Sequence, residues 1–325
     1  GLLDELCADA KAAREAAERW IAENPRAQQP WDKKGFVFPP PGPNSLDARD
    51  LFLAGCGMLY KKTAGVYRAP EAAMSAVYEG AGLTLDRGLE VETRYFANLA
   101  TGDQAKDMIR AIWYHRTAAE KHEGLPSTDE EGIKKVGILG AGMMGAALGF
   151  VCALRDYEVV LKDIAQEPLD KAMAHCQKLV AKRAKHLDDA GRQAIIDRIT
   201  PTVELSALEG CDLVIEAVFE DIELKHRVTK ETEPLLAERG IWASNTSALP
   251  ITDLAAASAH PERFIGLHFF SPVEQMPLLE IIMGEKTDEQ TLARCLSFCR
   301  RIKKLPIVIN DGYGFYATRT FTAYI

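Results

Sequence analysis

Paired cysteines are missing from this sequence. Its seven cysteines are scattered, and no C-x-x-C occurs. That spacing excludes a disulfide framework, a zinc ribbon and a dithiol redox motif, and it reads as reduced thiols of a cytoplasmic protein. Cys295 and Cys299 stand i and i+4 on an expected helix, but no His or carboxylate pattern completes a metal site beside them. They read as a buried, inert pair, and no metal is expected. Positive charge is also in short supply, with 39 Lys and Arg against 47 Asp and Glu, a net −8. No basic stripe occurs, so nucleic acid is not an expected partner, although a few local dipoles and lysines could still hold a small anion. No secretory leader is visible in the sequence, and none is expected. The chain begins at Gly1 without Met, in sequence that reads as mid-domain, and a fragment of a longer protein is expected. One uncharged run, 137–154, has the length that can signal a membrane span. Its glycines at 137, 140, 142, 145 and 149 cluster as a turn would, and strand–helix alternation continues beyond them, so no membrane span is expected. What remains is ordinary for a globular protein: 325 residues, 47% hydrophobic and 26% charged, enough for two or three domains.

The chain is organised around residues 134–163, KKVGILGAGMMGAALGFVCALRDYEVVLKD. Val136, Ile138 and Leu139 make a short apolar strand. Gly140, Gly142 and Gly145 follow at G-x-G-x-x-G spacing. A small, apolar helix runs over 143–154, a second strand over 157–161, and the unit ends at Asp163. In such a unit the first glycine permits the tight turn, the second lets a pyrophosphate approach the backbone, and the third lets the helix pack on the strand. Met143 and Met144 open the helix, whose N–H groups and dipole face the phosphates. A carboxylate at Asp163 can accept both ribose hydroxyls and would repel a 2′-phosphate. The cofactor expected is therefore NAD rather than NADP.

Before this unit the pattern is helical, over 1–24 (with Leu2, Leu3 and Leu6 on one side), 48–58, 70–78, 85–99 and 104–115. A proline-rich connection, with PPPGP at 39–43, covers 25–50. The Gly-, Pro- and charge-containing stretch 120–132 marks a domain boundary. After the unit come helices over 167–186 and 188–199, a short strand over 202–205 and an apolar strand, CDLVIEAV, over 211–218. A helix over 221–236, strands over 241–244, 264–269 and 279–282, a helix over 288–302 and a strand over 306–309 complete the pattern. The fold class is α/β: a Rossmann-type doubly wound parallel sheet with a mixed edge, preceded by an all-helical segment.

Few residues outside the turn suggest chemistry by themselves. A histidine such as His268, beside two phenylalanines in GLHFF, is ordinarily a packed core residue. Glu280 in PLLEII, however, is a carboxylate in an apolar strand and needs a partner, and His268 is a candidate. A His–Glu pair lets an imidazole act as base near neutral pH. Asn245, Thr246 and Ser247 follow a strand that should end at the carboxyl edge of the sheet, where ligands bind. They read equally well as a helix start, with Ser247 or Thr252 as the cap.

Seven segments in order, GILGAGMMG, Asp163, VIEAVFED, ASNTSALPIT, RFIGLHFFSPV, LLEII and DGYGF, resemble the NAD-dependent 3-hydroxyacyl-CoA dehydrogenases over roughly residues 133–325. GLLDEL, WDKKGF and YRAPEAAMSAVYEG are similar, more weakly, to the C-terminal helices of enoyl-CoA hydratases. Together they resemble the multifunctional enzymes of fatty acid oxidation in which the two are fused. The resemblance implies His268 as catalytic base, Glu280 as its carboxylate partner and Ser247 as donor to the substrate oxygen. It implies Glu220 and Lys225, which the residues alone would leave on an exposed helical turn, at the nicotinamide ribose, with Asn245 near the nicotinamide. It also implies an acyl-CoA substrate, a thiolase subunit as partner, and oxidation of (3S)-3-hydroxyacyl-CoA to 3-ketoacyl-CoA. A non-catalytic NAD-binding protein and a 3-hydroxybutyryl-CoA dehydrogenase are the alternatives.

The sequence departs from the family at Thr318 and Ser271, where asparagines are common. The expected organisation is a hydratase-like helical part and linker over 1–125, an NAD-binding domain over 126–309, and the start of a helical domain over 310–325. The hydratase glutamates are expected before Gly1, so no hydratase activity is expected of this chain. A helical domain holding much of the acyl-CoA pocket is expected after Ile325. Phe315, Phe321 and Tyr324 are expected on an exposed face of the tail, and turnover by this chain alone is expected to be poor.

Overall fold

The computed structural model of the protein describes residues 5–121, 123–127 and 132–325. The chain forms two compact units, the first ending at Ala111 and the second beginning at Ile112. The first unit is helical: α1 (Ala10–Glu23), α2 (Leu46–Thr63), α3 (Arg68–Gly80), α4 (Leu85–Thr101) and α5 (Asp103–Met108). Asp9 starts α1 by accepting the Ala12 N–H at 2.8 Å, and Ser45 does the same for α2 with Ala48. Leu2 and Leu3 of the expected first helix lie outside the described residues, as do 122 and 128–131 of the expected boundary. The helical pattern does not stop at His115. A π-helical stretch, Ile109–His115, leads into α6 (Arg116–Lys121), and the division between units falls within that stretch, ahead of the expected 126.

The second unit carries an eight-stranded sheet of order β3-β2-β1-β4-β5-β6-β7-β8. Its elements are β1 (Lys135–Leu139), α7 (Met143–Ala153), β2 (Glu158–Lys162), α8 (Gln166–Arg183), α9 (Asp189–Asp197), β3 (Ile199–Thr202), β4 (Leu213–Glu216), α10 (Ile222–Thr232), β5 (Ile241–Ser244), α11 (Ile251–Ala255), β6 (Phe264–Phe269), β7 (Leu278–Met283), α12 (Glu289–Arg301), β8 (Leu305–Asn310) and α13 (Ala317–Tyr324). β3 through β6 in that order are parallel. β7 runs antiparallel to β6, and β8 runs parallel to β7. This is the doubly wound arrangement with a mixed edge that the sequence pattern predicts. Strands covered on both faces read as near-continuous apolar runs. β4, β5 and β6 are accordingly buried at every position.

One strand is displaced from expectation. β3 occupies 199–202 rather than 202–205, pairing Ile199 with Val159. The Thr202 hydroxyl accepts the Glu204 N–H and ends it, and Leu205–Leu208 turn into a 3₁₀ helix. Pro201 is tolerated because β3 is an edge strand. Cys295 and Cys299 are both fully buried, and burial pushes each thiol up to about 12, which leaves them unreactive near neutral pH. Among the described residues no helix is long and apolar enough to cross a membrane.

Candidate active site

The turn between β1 and α7 lies at the point where the strand order reverses. Gly140 holds φ +96°, and a Cβ there would meet the Ala217 carbonyl oxygen at 2.7 Å. A Cβ on Gly145 would fall 1.8 Å from the Gly140 carbonyl oxygen, so α7 packs on the turn at a distance only glycine allows. In front of Gly142 there is nothing within 4 Å of a Cβ. No side chain caps α7, so its first N–H groups are available to an anion. Met143 is exposed there, and Met144 packs against the core. Asp163 leaves the end of β2 and accepts the Ala141 N–H at 2.6 Å and the Ile164 N–H at 2.7 Å. Its carboxylate is thereby fixed beside the glycine turn. These features fit a dinucleotide: a tight turn, an uncapped helix start and an anchored carboxylate.

The ends of β4 and β5 hold a second group. Lys225 is not on an exposed turn, as its surroundings in sequence suggest, but only 2% exposed. Its ammonium donates to both oxygens of Glu216, at 2.8 and 2.9 Å, and lies 3.2 Å from Glu220 Oε2. Glu220 Oε1 accepts from Thr246 Oγ1 at 2.5 Å, the Ser247 N–H at 2.9 Å and Ser247 Oγ at 3.3 Å. Ser247 is thus joined to Glu220. Asn245 accepts the Phe269 N–H at 2.9 Å through its side-chain oxygen, tying the end of β5 to β6. Neither Ser247 nor Thr252 caps α11. That role falls to Asp311, whose carboxylate accepts the Ile251 and Thr252 N–H groups at 2.8 and 2.7 Å.

Burial by itself would raise the Glu220 carboxyl, but the Thr246 hydroxyl, the Lys225 ammonium and the Ser247 N–H together hold it below its ordinary value of 4.5. A depressed carboxyl stabilises the fold above its unfolded-state value, and that contribution is lost as pH falls through the folded-state value. Glu220→Gln should therefore lower the unfolding temperature near pH 7, and the gap to wild type should close as pH drops well below about 4.5. Thermal unfolding of both proteins across that range checks this; a gap independent of pH would contradict it.

The third group pairs β6 with β7. In the antiparallel register His268 faces Glu280, and the imidazole Nδ1 lies 2.6 Å from Glu280 Oε2. Glu280 is fully buried and His268 nearly so. The other carboxylate oxygen, Oε1, accepts the Ala317 N–H at 2.7 Å from the first turn of α13. Phe270 and Phe315 pack on the imidazole, with ring centroids 4.5 and 5.7 Å away. Phe315 is therefore a buried residue at φ +50° and not part of an exposed tail face. Phe321 and Tyr324 are exposed.

Sequence reasoning missed Glu216, a fully buried carboxylate inside an apolar strand. The signal was present, since the argument that gave Glu280 a partner applies equally to VIEAV and points to Lys225 in the following helix.

A doubly wound sheet with a glycine turn at its switch point, an acidic residue after β2 and a buried His–Glu pair defines an NAD-type dehydrogenase domain. The family model described as 3-hydroxyacyl-CoA dehydrogenase, NAD binding domain, matches residues 135–312. The chain belongs to that family. A fatty acid oxidation complex subunit alpha of Shewanella loihica is 36% identical over 331 residues, which cover 100% of this chain and 46% of the relative. One of Shewanella baltica is 36% identical with the same coverage. The chain thus spans about half the length of these curated relatives. Among solved structures, (S)-3-hydroxybutyryl-CoA dehydrogenase of Ralstonia eutropha superposes with a TM-score of 0.56 at 35% identity, over 58% of this chain and 68% of that one. The dehydrogenase part of multifunctional enzyme 1 from C. elegans gives 0.52 at 27% identity, over 61% of this chain and 48% of that one.

Proposed function

We propose that this chain is the cofactor half of an NAD-dependent 3-hydroxyacyl-CoA dehydrogenase that oxidises (3S)-3-hydroxyacyl-CoA to 3-ketoacyl-CoA in fatty acid β-oxidation. The observation that carries the reading is the His268–Glu280 pair, buried on β6 and β7 beside the cofactor half of the sheet. An ionised Glu280 can only accept, so the proton between the partners belongs on His268 Nδ1. That tautomer leaves Nε2 to take the proton of a substrate hydroxyl, and Glu280 then stabilises the imidazolium. Bound NAD supplies the hydride acceptor. Ser247 orients the substrate oxygen, Asp163 takes the adenosine ribose, and Glu220, Lys225 and Asn245 serve the nicotinamide side. Met143, Met144 and the three glycines hold the pyrophosphate. The helical unit up to Ala111 corresponds to the end of a hydratase-like part, and α13 to the first helix of a substrate-binding domain. A cytoplasmic complex with a thiolase subunit follows from the same reading.

Two measurements test it. Reduction of acetoacetyl-CoA by NADH should be detectable in a form of the protein that includes the substrate-binding helices; no turnover there, despite NAD binding, would refute the enzymatic reading. Asp163→Ala should weaken NAD about 10- to 100-fold, the worth of a charge-assisted hydrogen bond or two, and should narrow the preference over NADP. Unchanged NAD affinity would remove Asp163 from the ribose.

A further inference from the structure

The mechanism proposed above uses Lys225 and Glu220 but leaves Glu216 without a task. Its carboxylate is 1% exposed, at the carboxyl end of the central strand β4. It accepts both Lys225 bonds, the Ser244 hydroxyl, and the Val218 N–H at 3.3 Å. A buried charge is costly, and a buried ion pair is weak evidence of a gain in stability, because apolar residues of the same volume often serve as well or better. What the pair does provide is a fixed geometry.

The connections run in one direction. Glu216, on β4, holds the Lys225 ammonium on α10. Lys225 reaches Glu220 in the loop after β4. Glu220 in turn fixes Thr246 and Ser247 in the loop after β5. Thr246 Oγ1 then accepts the Leu249 N–H at 3.0 Å, closing that loop on itself. Two loops at the carboxyl edge are therefore set by one buried carboxylate. β4, β5 and β6 form the second half of the doubly wound sheet, and in this architecture each half takes one mononucleotide. The glycine turn and Asp163 lie in the first half, so the second half faces the nicotinamide mononucleotide.

We propose that Glu216 is a positioning residue for the nicotinamide half of the cofactor site, acting through Lys225 and Glu220 on the loops after β4 and β5. This rests on the reading that NAD binds in the crevice, which wild-type titration tests separately. With NADH and ADP, which lacks the nicotinamide-side ribose, as the two probes, Glu216→Gln should raise the Kd for NADH at least about tenfold, the loss of one charge-assisted bond, and change that for ADP less than about twofold. A parallel loss of both ligands would show general damage to the fold, and unchanged NADH affinity would show that the loops do not depend on Glu216; either result overturns the proposal. Should that variant not fold, Glu216→Asp keeps the buried charge but shortens its reach to the Lys225 ammonium, and should fold with the same selective loss. Failure of the aspartate variant to fold, or its retention of full NADH affinity, would assign Glu216 to stability alone. If wild type binds neither probe, the cofactor reading fails and not this inference.

Discussion

His268→Ala should lower kcat for acetoacetyl-CoA reduction by roughly 10²–10⁴-fold, the usual contribution of one positioned acid–base group, while NADH affinity stays near wild type. The separation follows from the fold. The imidazole sits on β6, held by Glu280 and packed by Phe270 and Phe315, whereas the glycine turn and Asp163 lie on the other side of the switch point. Glu280→Gln sharpens the test. The Ala317 N–H faces one carboxylate oxygen, so an amide placed there would turn its oxygen to Ala317 and its NH₂ to His268. Nδ1 would then have to accept, which favours the tautomer with its proton on Nε2 and removes the carboxylate that stabilises the imidazolium, the acid in this reductive direction, with the ring still in place. The variant should therefore approach His268→Ala in kcat, with little loss of stability. The pH–rate profiles separate a wrong tautomer from a misplaced ring. Near-normal kcat in either variant would exclude the pair from the proton transfer.

Much of this fold was legible in the sequence because the sheet is covered on both faces. Its strands had to be apolar runs, and the turn chemistry between them had to be explicit. β5 and β6 fall where the runs predict. The connections that cross between distant segments were not legible. Asp311 caps α11 from sixty residues away, and neither end of that bond carries a local signature, so the nearer Ser247 and Thr252 looked sufficient. Lys225 stands one turn into a helix that Asp221 caps, a place where lysine is ordinarily solvated. Only a carboxylate inside β4 draws it inward, and that carboxylate was itself legible from VIEAV. Phe315 belonged by pattern with Phe321 and Tyr324, but its positive φ takes it out of the helical phase and against His268. Burial of a polar group in an apolar run was therefore the most informative signal for the site, and it applied to two glutamates rather than one.

Gly145→Ala should destabilise the domain by about 1–3 kcal/mol, the range for forcing atoms into a filled site, and should weaken NAD binding with it. Helix propensity argues the other way, because alanine is favoured over glycine by up to about 1 kcal/mol within a helix. Steric overlap decides the sign. The new Cβ would lie 1.8 Å from the Gly140 carbonyl oxygen and 3.0 Å from its carbon, and both are backbone atoms of a turn already held at positive φ. They cannot rotate away as a side-chain end could. α7 must then lift off β1, carrying the N–H groups of its first turn out of line with the pyrophosphate. Gly149, one turn further along the same helix, is the internal control. A Cβ there would meet Ile138 Cδ1 at 3.8 Å and Val159 Cγ1 at 3.9 Å, ordinary van der Waals contacts, so Gly149→Ala should be neutral or stabilising by about 0.4–1 kcal/mol. Chemical denaturation and NAD titration of the two variants side by side make the comparison. Equal behaviour of the pair would mean that the close approach of α7 to the glycine turn does not constrain position 145.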